Sequence, residues 1–457
     1  MKSNRELSSF RDPSGYIYYD NGKVMRKINS CYFEEYNHLM NSGLYEELVK
    51  NKLLVSHKEV KKSNKSIEIE VEKIPYISYP YEWTFNQLKD AALLTLKINK
   101  ISMKYGMILK DSSAYNVQFL NGKPIFIDTL SFMFYESGSP WEAYGQFSRH
   151  FIAPLVLMKY VDVRMNSLLR NYIDGIDLEL ASNILKRRGG MIGYLHIKLQ
   201  SKSIKKHNYD GHNEIKKVEI KKESIINMFD MIESQINKLK VKDYSTEWMN
   251  YYEMTNYEKD AIAEKEKIIR DFCKDIHISS DELIFDLGAN DGRFSYLIQK
   301  ELNNYTVSFD IDSNSVENNY LYVKKTELPI LPLIMDINNP SSSIGFSNSE
   351  RESFMERGNA GLTLVLAFLH HMVISNNLSF EMVSDFLSKI TKYLIIEFVP
   401  KEDSQVQILL KTRRDIFDDY NIDKFREVFS KKFKIIREES IKGSKRTLFL
   451  MEVLNEK

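Results

Sequence analysis

Residues 283–295 read Leu283-Ile-Phe-Asp-Leu-Gly-Ala-Asn-Asp-Gly-Arg-Phe-Ser295, and the fold of the second half turns on them. An apolar run of strand character ending at Asp286 breaks at Gly288 and turns through Asn290 and Gly292. Apolar positions at helical spacing follow at Phe294, Leu297 and Ile298. Strand, tight loop, helix is the local order that lets backbone approach a nucleotide and points helix N–H groups at it. A dinucleotide site wants Gly-x-Gly-x-x-Gly or Ala, the last residue small for close helix packing. Here Gly288-x-Asn290-x-Gly292 is followed by the bulky Arg293, which tilts the loop away from NAD.

Downstream the alternation is regular. Strand candidates fall at 282–287, 305–311, 330–335, 362–368, 393–399, 433–437 and 447–453, with helical stretches between most of them. Such alternation predicts a mainly parallel sheet covered on both faces, its ligand beyond the C-terminal strand ends where strand order reverses. Acids stand at those ends. Asp286 closes the first strand, and Asp310 closes the second in Val307-Ser-Phe-Asp-Ile-Asp312. A carboxylate about 20 residues beyond the glycine loop is placed to accept both ribose hydroxyls. Asp312 is the alternative ligand. Asp336 follows the third strand, after Leu333-Ile-Met335. The fourth ends in Leu369-His370-His371-Met372, and a histidine at this mouth can act as general base for an acceptor hydroxyl. Glu397 and Asp403, beyond the fifth strand, either bind an acceptor or begin the next helix. Lys411, Arg413, Arg414, Asp415 and Tyr420 follow them.

The pattern Asp286-x-Gly288-x-Asn290-x-Gly292 resembles motif I of the class I S-adenosyl-L-methionine (SAM) dependent methyltransferases, and the resemblance spans about 245–455. It implies an α/β Rossmann-like seven-stranded methyltransferase domain whose last strand is antiparallel. Cofactor contacts carried over are Asp286, Gly288, Asn290, Gly292, Phe294, Asp310, Ile311, Asp336 and Ile337. Asp336 takes the position that meets the adenine amino group. His370 and His371 resemble the Leu-His-His-Leu ending of small-molecule members and are the catalytic candidates. The Asn/Asp-Pro-Pro-Tyr signature of base-amine methylases is absent. An aromatic segment over 244–257, with Trp248 and Tyr257, either folds over the cofactor or caps the domain edge. No metal is expected in this domain. The whole-chain arrangement resembles bacterial methyltransferases of nodulation type.

The first half has its own loop. Asn21-Gly22 signals a hairpin within 14–28, and helices are expected over 32–49 and 85–105, with an exposed loop or edge strand over 57–72. Then Asp111 and Asn116 stand five apart, and a second hairpin turn at Asn121-Gly122 leads to Asp128. This order resembles the catalytic loop and metal-binding strand end of protein-kinase-like and aminoglycoside-phosphotransferase-like folds. There an Asp positions the acceptor hydroxyl, and an Asn and a second Asp hold magnesium on a nucleotide. The resemblance implies an α+β kinase-like domain, with Lys23, Arg26 or Lys27 as phosphate contact and Glu34 or Glu35 on the following helix. Three departures mark it as degenerate: no glycine-rich phosphate loop, Leu109-Lys-Asp111 in place of His-Arg-Asp, and Thr-Leu after Asp128. A scaffold that binds the acceptor is expected, with magnesium-ATP phosphotransfer through Asp111, Asn116 and Asp128 as the alternative.

The expected organisation is a kinase-like domain over 1–185, a basic linker and helix over 186–243, and the methyltransferase domain over 244–457. The 186–222 stretch carries eleven Lys or Arg against three acids, either a solvated connector or a patch for an anionic partner. Over the full 457 residues the net charge of +1 argues against a bulk nucleic-acid partner. The two cysteines, Cys31 and Cys273, make neither a disulfide framework nor a cysteine zinc site. No signal peptide is visible, and the longest apolar run, 151–158, is far short of the roughly 20 residues a spanning helix needs. A cytoplasmic enzyme with a small-molecule or carrier- or glycan-bound acceptor and no membrane partner is expected, with a non-enzymatic interaction protein using the basic 186–222 run as an alternative. The sequence leaves oligomeric state open.

Overall fold

Asn21 and Gly22, at φ of 49° and 79°, close the expected hairpin between β1 (Gly15–Asp20) and β2 (Lys23–Asn29). Left-handed turn residues match the twist of the flanking strands, and Asn-Gly supplies them with little strain. The computed structural model describes residues 5–209, 219–241, 259–411 and 413–454. They fall into two units, 5–241 together with Ser343–Arg351, and 259–342 together with 352–454.

In the first unit β3 (His57–Lys62) and β4 (Ser66–Val71) complete an antiparallel sheet in the order β1-β2-β4-β3. The charged 57–72 stretch is therefore a hairpin, with β3 on the edge and its Lys and Glu side chains in water, a common guard against edge pairing. The single helix expected over 32–49 is two, Phe33–Asn41 and Leu44–Lys50, because Gly43 at φ 91° breaks it. Ile28, Tyr32, Tyr36, Ile67, Ile69 and Leu130 form a buried cluster here. Thr84 and Gln87 form a capping box at the start of Phe85–Lys104, which buries Leu88, Ala92, Leu96 and Ile98. Four short strands follow, β5 (Met107–Leu109), β6 (Val117–Leu120), β7 (Lys123–Phe126) and β8 (Phe132–Phe134), paired β5-β8 and β6-β7.

The remainder of this unit is helical, and here the expected linker is corrected. Within 186–241, Gly190–Gly193, Gln200–Tyr209 and Lys222–Lys238 are α-helices, and Tyr194–Leu199 winds as a π-helix. Ile192, Ile197, Ile225, Phe229, Ile232 and Ile236 are buried, and Phe229 meets the Trp141 ring edge-on at 4.9 Å. Lys222–Lys238 is the helix the sequence predicts there, with Ile225, Phe229, Ile232 and Ile236 on its buried face; only Ile192 and Ile197 lay concealed within the basic run. Ser343–Arg351 also belongs to this unit. Arg11 grips Glu350 through two hydrogen bonds of 2.8 and 2.9 Å, and the Arg351 guanidinium lies 4.3 Å from the centre of the Tyr115 ring.

The second unit is one sheet of β9 (Leu283–Leu287), β10 (Thr306–Asp310), β11 (Ile330–Ile334), β12 (Ala360–Val365), β13 (Thr391–Phe398), β14 (Phe433–Ser440) and β15 (Thr447–Val453). Its order is β11-β10-β9-β12-β13-β15-β14, parallel except that β15 runs antiparallel to both neighbours. The mainly parallel order is what the alternation predicted, and the seven strands with the last antiparallel are the Rossmann-like arrangement that the resemblance implied. β9 is buried along its whole length, as a central parallel strand must be. Lys259–Cys273 and Arg293–Leu302 pack Ile269, Phe272, Phe294 and Ile298 with Ile284, Leu364 and Ile395. Phe285, Phe309 and Phe354 form a separate aromatic cluster, with ring centres 5.4–5.7 Å apart. No helix among the described residues is long and apolar enough to cross a membrane.

Candidate functional site

Strand order reverses between β9 and β12, and the loop after β9 stands at that reversal. Gly288 (φ 77°) and Ala289 both donate their N–H to the Phe309 carbonyl, at 2.9 and 3.0 Å, which seats the loop on the end of β10. Asn290, at φ 51°, donates its N–H to Asp310 Oδ2 at 2.7 Å, and the Asp312 N–H donates to Asp310 Oδ1 at 2.9 Å. Gly292 (φ 87°) caps Arg293–Leu302 in a left-handed conformation. A Cβ there would stand 2.5 Å from Asn319 Nδ2, so glycine is required twice over.

Around this loop lies a cavity of about 320 Å3. Of the proposed cofactor contacts, Asp286, Gly288, Asn290, Phe294, Asp310, Ile311, Asp336 and Ile337 line it, joined by Met335, Asn338, Leu366, Phe368 and Leu409. Gly292 does not line it and acts through the helix start. Trp248 and Tyr257 lie outside the described residues. The choice between Asp310 and Asp312 falls to the first on geometry. Asp312 Oδ1 accepts the Asn314 N–H and its Oδ2 the Ser315 hydroxyl, so it is the N-cap of Ser313–Thr326 and lines no part of the cavity.

Burial dominates the electrostatics. It pushes the Asp310 carboxyl up to about 6, although the N–H groups of Asp312 and Asn290 oppose the rise. It pushes Asp286 up to about 7 against the Ser295 hydroxyl, which donates to Asp286 Oδ2 at 2.6 Å. The two histidines part company. His371 lines the cavity, and burial, with Arg446 nearby, lowers its imidazole to about 4. His370 is fully buried and lines no part of the cavity; neither of its ring nitrogens has a hydrogen-bond partner among the described residues. Burial also holds it well below the usual histidine range. The sequence offered them as a pair, but only the second faces the cavity.

Sequence reasoning missed Lys265. It lies on the helix Lys259–Cys273, lines the cavity, is buried, and donates to Glu397 Oε2 at 2.6 Å. Arg446 stands 3.5 Å from Glu397 Oε1 and grips Asp403 with two bonds of 2.7 and 3.1 Å. Glu397 and Asp403 are thus committed to internal cations, and Asp403 also caps Ser404–Leu410. A lysine inside an amphipathic charged helix gives no sequence sign that it turns inward. Arg413 bonds the Ile374 carbonyl and, at 2.6 Å, Asn377 Oδ1. Lys401 pairs with Asp415 at 3.0 Å, and the Tyr420 hydroxyl donates to the Val399 carbonyl at 2.8 Å.

In the first unit, Asp111 accepts the Ser113 N–H at 2.9 Å and the Gln146 amide at 2.8 Å; burial, then Asp128, raises its carboxyl. Asn116 donates to Ser131 Oγ at 3.2 Å. Asp128 is held by the guanidinium of Arg26 and by the Ser131 hydroxyl. Burial would raise its carboxyl, but Arg26 and Ser131 keep it below the ordinary value. Lys23 is spent on Glu70 at 3.0 Å. Among the described residues no three histidine, cysteine or acidic side chains converge to hold a metal ion.

No protein-family model matches the chain. A SAM-dependent methyltransferase from Clostridium acetobutylicum ATCC 824 superposes with a TM-score of 0.32 at 11% identity, over 50% of this chain and 98% of that one. The bifunctional kinase-methyltransferase WbdD superposes with a TM-score of 0.27 at 17% identity, over 43% of this chain and 38% of that one. Scores of that size leave the fold to rest on the sheet order above. Nodulation protein NoeA of Rhizobium meliloti (strain 1021) is 31% identical over 466 residues, covering 99% of this chain and 96% of that protein. Identity of that extent spans both units, and the chain belongs to the family of nodulation protein NoeA.

Proposed function

We propose that the second unit binds SAM in the cavity beside β9 and transfers its methyl group to a small-molecule or carrier- or glycan-bound acceptor. Asp310 carries the proposal. Its Oδ2 accepts the Asn290 N–H and its Oδ1 the Asp312 N–H, the Ile311 N–H also favours the ionised form, and the carboxylate lines the cavity where ribose hydroxyls require an acceptor. Asn338 lines the same cavity, and its Oδ1 is buried with no partner among the described residues. With Asp336 it offers acceptors suited to an adenine amino group. Asp286 offers a carboxylate for an ammonium. A cavity of about 320 Å3 with apolar walls and a few polar groups suits a nucleoside-sized ligand. The residues fit the cofactor.

Bound SAM supplies an electrophilic methyl group on a sulfonium. The chain's own task is orientation, which is worth more than strong acid or base for a displacement of this kind. Leu366, Phe368 and Met335 give the cavity an apolar wall against which the cofactor can pack. His371, neutral at working pH, can receive a proton from an acceptor hydroxyl as that proton is lost. It is too weak a base to ionise the hydroxyl beforehand. Incubation with methyl-labelled SAM and cell extract, read by product mass, tests the activity. His371→Asn should lower turnover by about 10²–10⁴-fold with SAM affinity within about twofold of the parent. No labelled product would contradict the activity, and unchanged turnover would contradict the role of His371.

The first unit is proposed as a kinase-like scaffold that binds or presents the acceptor. The Arg26–Asp128 pair supports this over magnesium-ATP phosphotransfer, because a carboxylate neutralised by a guanidinium is a poor metal ligand.

A further inference from the structure

The first unit contains a second cavity, of about 580 Å3, which the proposed methyl transfer does not use. The helix Phe85–Lys104 sends Lys97, Lys100 and Lys104 to its wall, and the i, i+3, i+7 spacing puts all three on one helix face. Lys222 joins them from the first turn of Lys222–Lys238. Four lysines therefore face one carboxylate, Glu47, and that carboxylate already accepts the Tyr105 hydroxyl at 2.6 Å. Lys100 is satisfied internally by Asp230 at 3.0 Å and Glu233 at 2.5 Å. Among the described residues Lys97, Lys104 and Lys222 have no ion-pair partner.

The helix start adds to the imbalance. Lys222–Lys238 begins with Lys221 at the N-cap, which makes no side-chain capping bond, and Lys222 directly after it. Cations at this end oppose the helix dipole, and only Glu223 in the first turn offsets them. An anion in the cavity would relieve that repulsion and meet the lysine row of the other helix at once. The floor is apolar, with Ile101, Met103 and Ile226. No aromatic ring lines the cavity, so it offers no platform for stacking bases, and its volume is that of a small-molecule site.

We propose that this cavity binds a phosphate-bearing small molecule. Lys97, Lys104 and Lys222 hold the phosphate, and the apolar floor takes an attached alkyl or glycosyl group. Ammonium point charges on flexible stems suit a phosphate of varied orientation.

Isothermal titration of the full chain with pyrophosphate, octyl phosphate and glucose 1-phosphate tests the site. Saturable binding of at least one probe is expected, weakened at least tenfold in Lys97→Glu/Lys104→Glu and unchanged in Lys434→Glu, an exposed lysine of the second unit. The milder Lys104→Gln should weaken it severalfold, and circular dichroism melts should show that both variants fold. Tighter binding of octyl phosphate than of glucose 1-phosphate would assign an alkyl phosphate, and the reverse a glycosyl phosphate. Three outcomes overturn the proposal: no heat from any probe, equal affinity in the doubly reversed variant, or tighter binding of a single-stranded oligonucleotide than of any probe.

Discussion

Replacing Lys265 by methionine should destabilise the second unit by about 3 kcal/mol. The Lys265 Nζ to Glu397 Oε2 distance is 2.6 Å, and the two side chains are 4% and 0% exposed. At an effective dielectric near 20, a pair at such separations attracts by roughly 4 kcal/mol or more. Removing one partner of a buried pair typically costs about 3–5 kcal/mol, since the other charge stays buried without it. Arg446, 3.5 Å from the other oxygen of Glu397, offsets part of the loss and sets the expectation at the low end. Methionine keeps most of the contact with the Phe294 ring, which the ammonium now approaches to 4.5 Å. The double variant Lys265→Met/Glu397→Leu leaves no orphan charge and should recover to within about 1 kcal/mol of the parent. Hydrogen exchange at β9 and β12 amides reads this unit's stability separately from the other's. A single variant within 0.5 kcal/mol of the parent, or a double variant that sums two independent losses, would refute the reasoning.

Other outcomes follow from the same geometry. Gly292→Ala should cost about 2–4 kcal/mol, from backbone strain and the clash with Asn319. Gly22→Ala, at nearly the same φ with open space around it, should cost about 1 kcal/mol, and thermal unfolding compares them. SAM affinity should rise with pH below 6. Burial raises Asp310 to about 6, so its protonated fraction falls as pH rises through that value, and the ionised form is the one with acceptor sites for ribose. Asp286, raised to about 7, loses its proton over the next unit, so titrations should show at least tenfold weaker binding at pH 5 than at pH 8, and a flat profile for the parent would contradict this. Arg26→Met should destabilise the first unit by about 2–4 kcal/mol by stranding Asp128, and adding Asp128→Asn should restore part of it, as urea unfolding would reveal.

Much of the second unit was legible because parallel strands write themselves as short apolar runs and leave acids at their ends. All seven strands stand within a few residues of their expected places, and Asp286, Asp310 and Asp336 converge on one cavity. What failed to show depends on where a side chain turns. Lys265 sits in a charged helix and reads as surface, yet it is buried against Glu397. His370 and His371 are adjacent in sequence but differ in facing the cavity, because successive residues of a helical turn point in different directions. Asp312 is chemically the equal of Asp310 until the hydrogen bonds of the next helix claim it. In the first half the hairpins were plain from Asn-Gly, whereas the Arg26–Asp128 pair spans 102 residues, beyond any local pattern. The same holds for Ser343–Arg351, which lies between β11 and β12 in sequence yet belongs to the first unit, held there through Arg11 and Tyr115.

Isothermal titration of SAM into the full chain tests the central claim most directly. One mole should bind per mole of protein, and Asp310→Ala should weaken binding by about 30–1,000-fold, the loss of roughly 2–4 kcal/mol from two charge-assisted hydrogen bonds. No heat with the parent protein, or equal affinity in Asp310→Ala, would contradict the account.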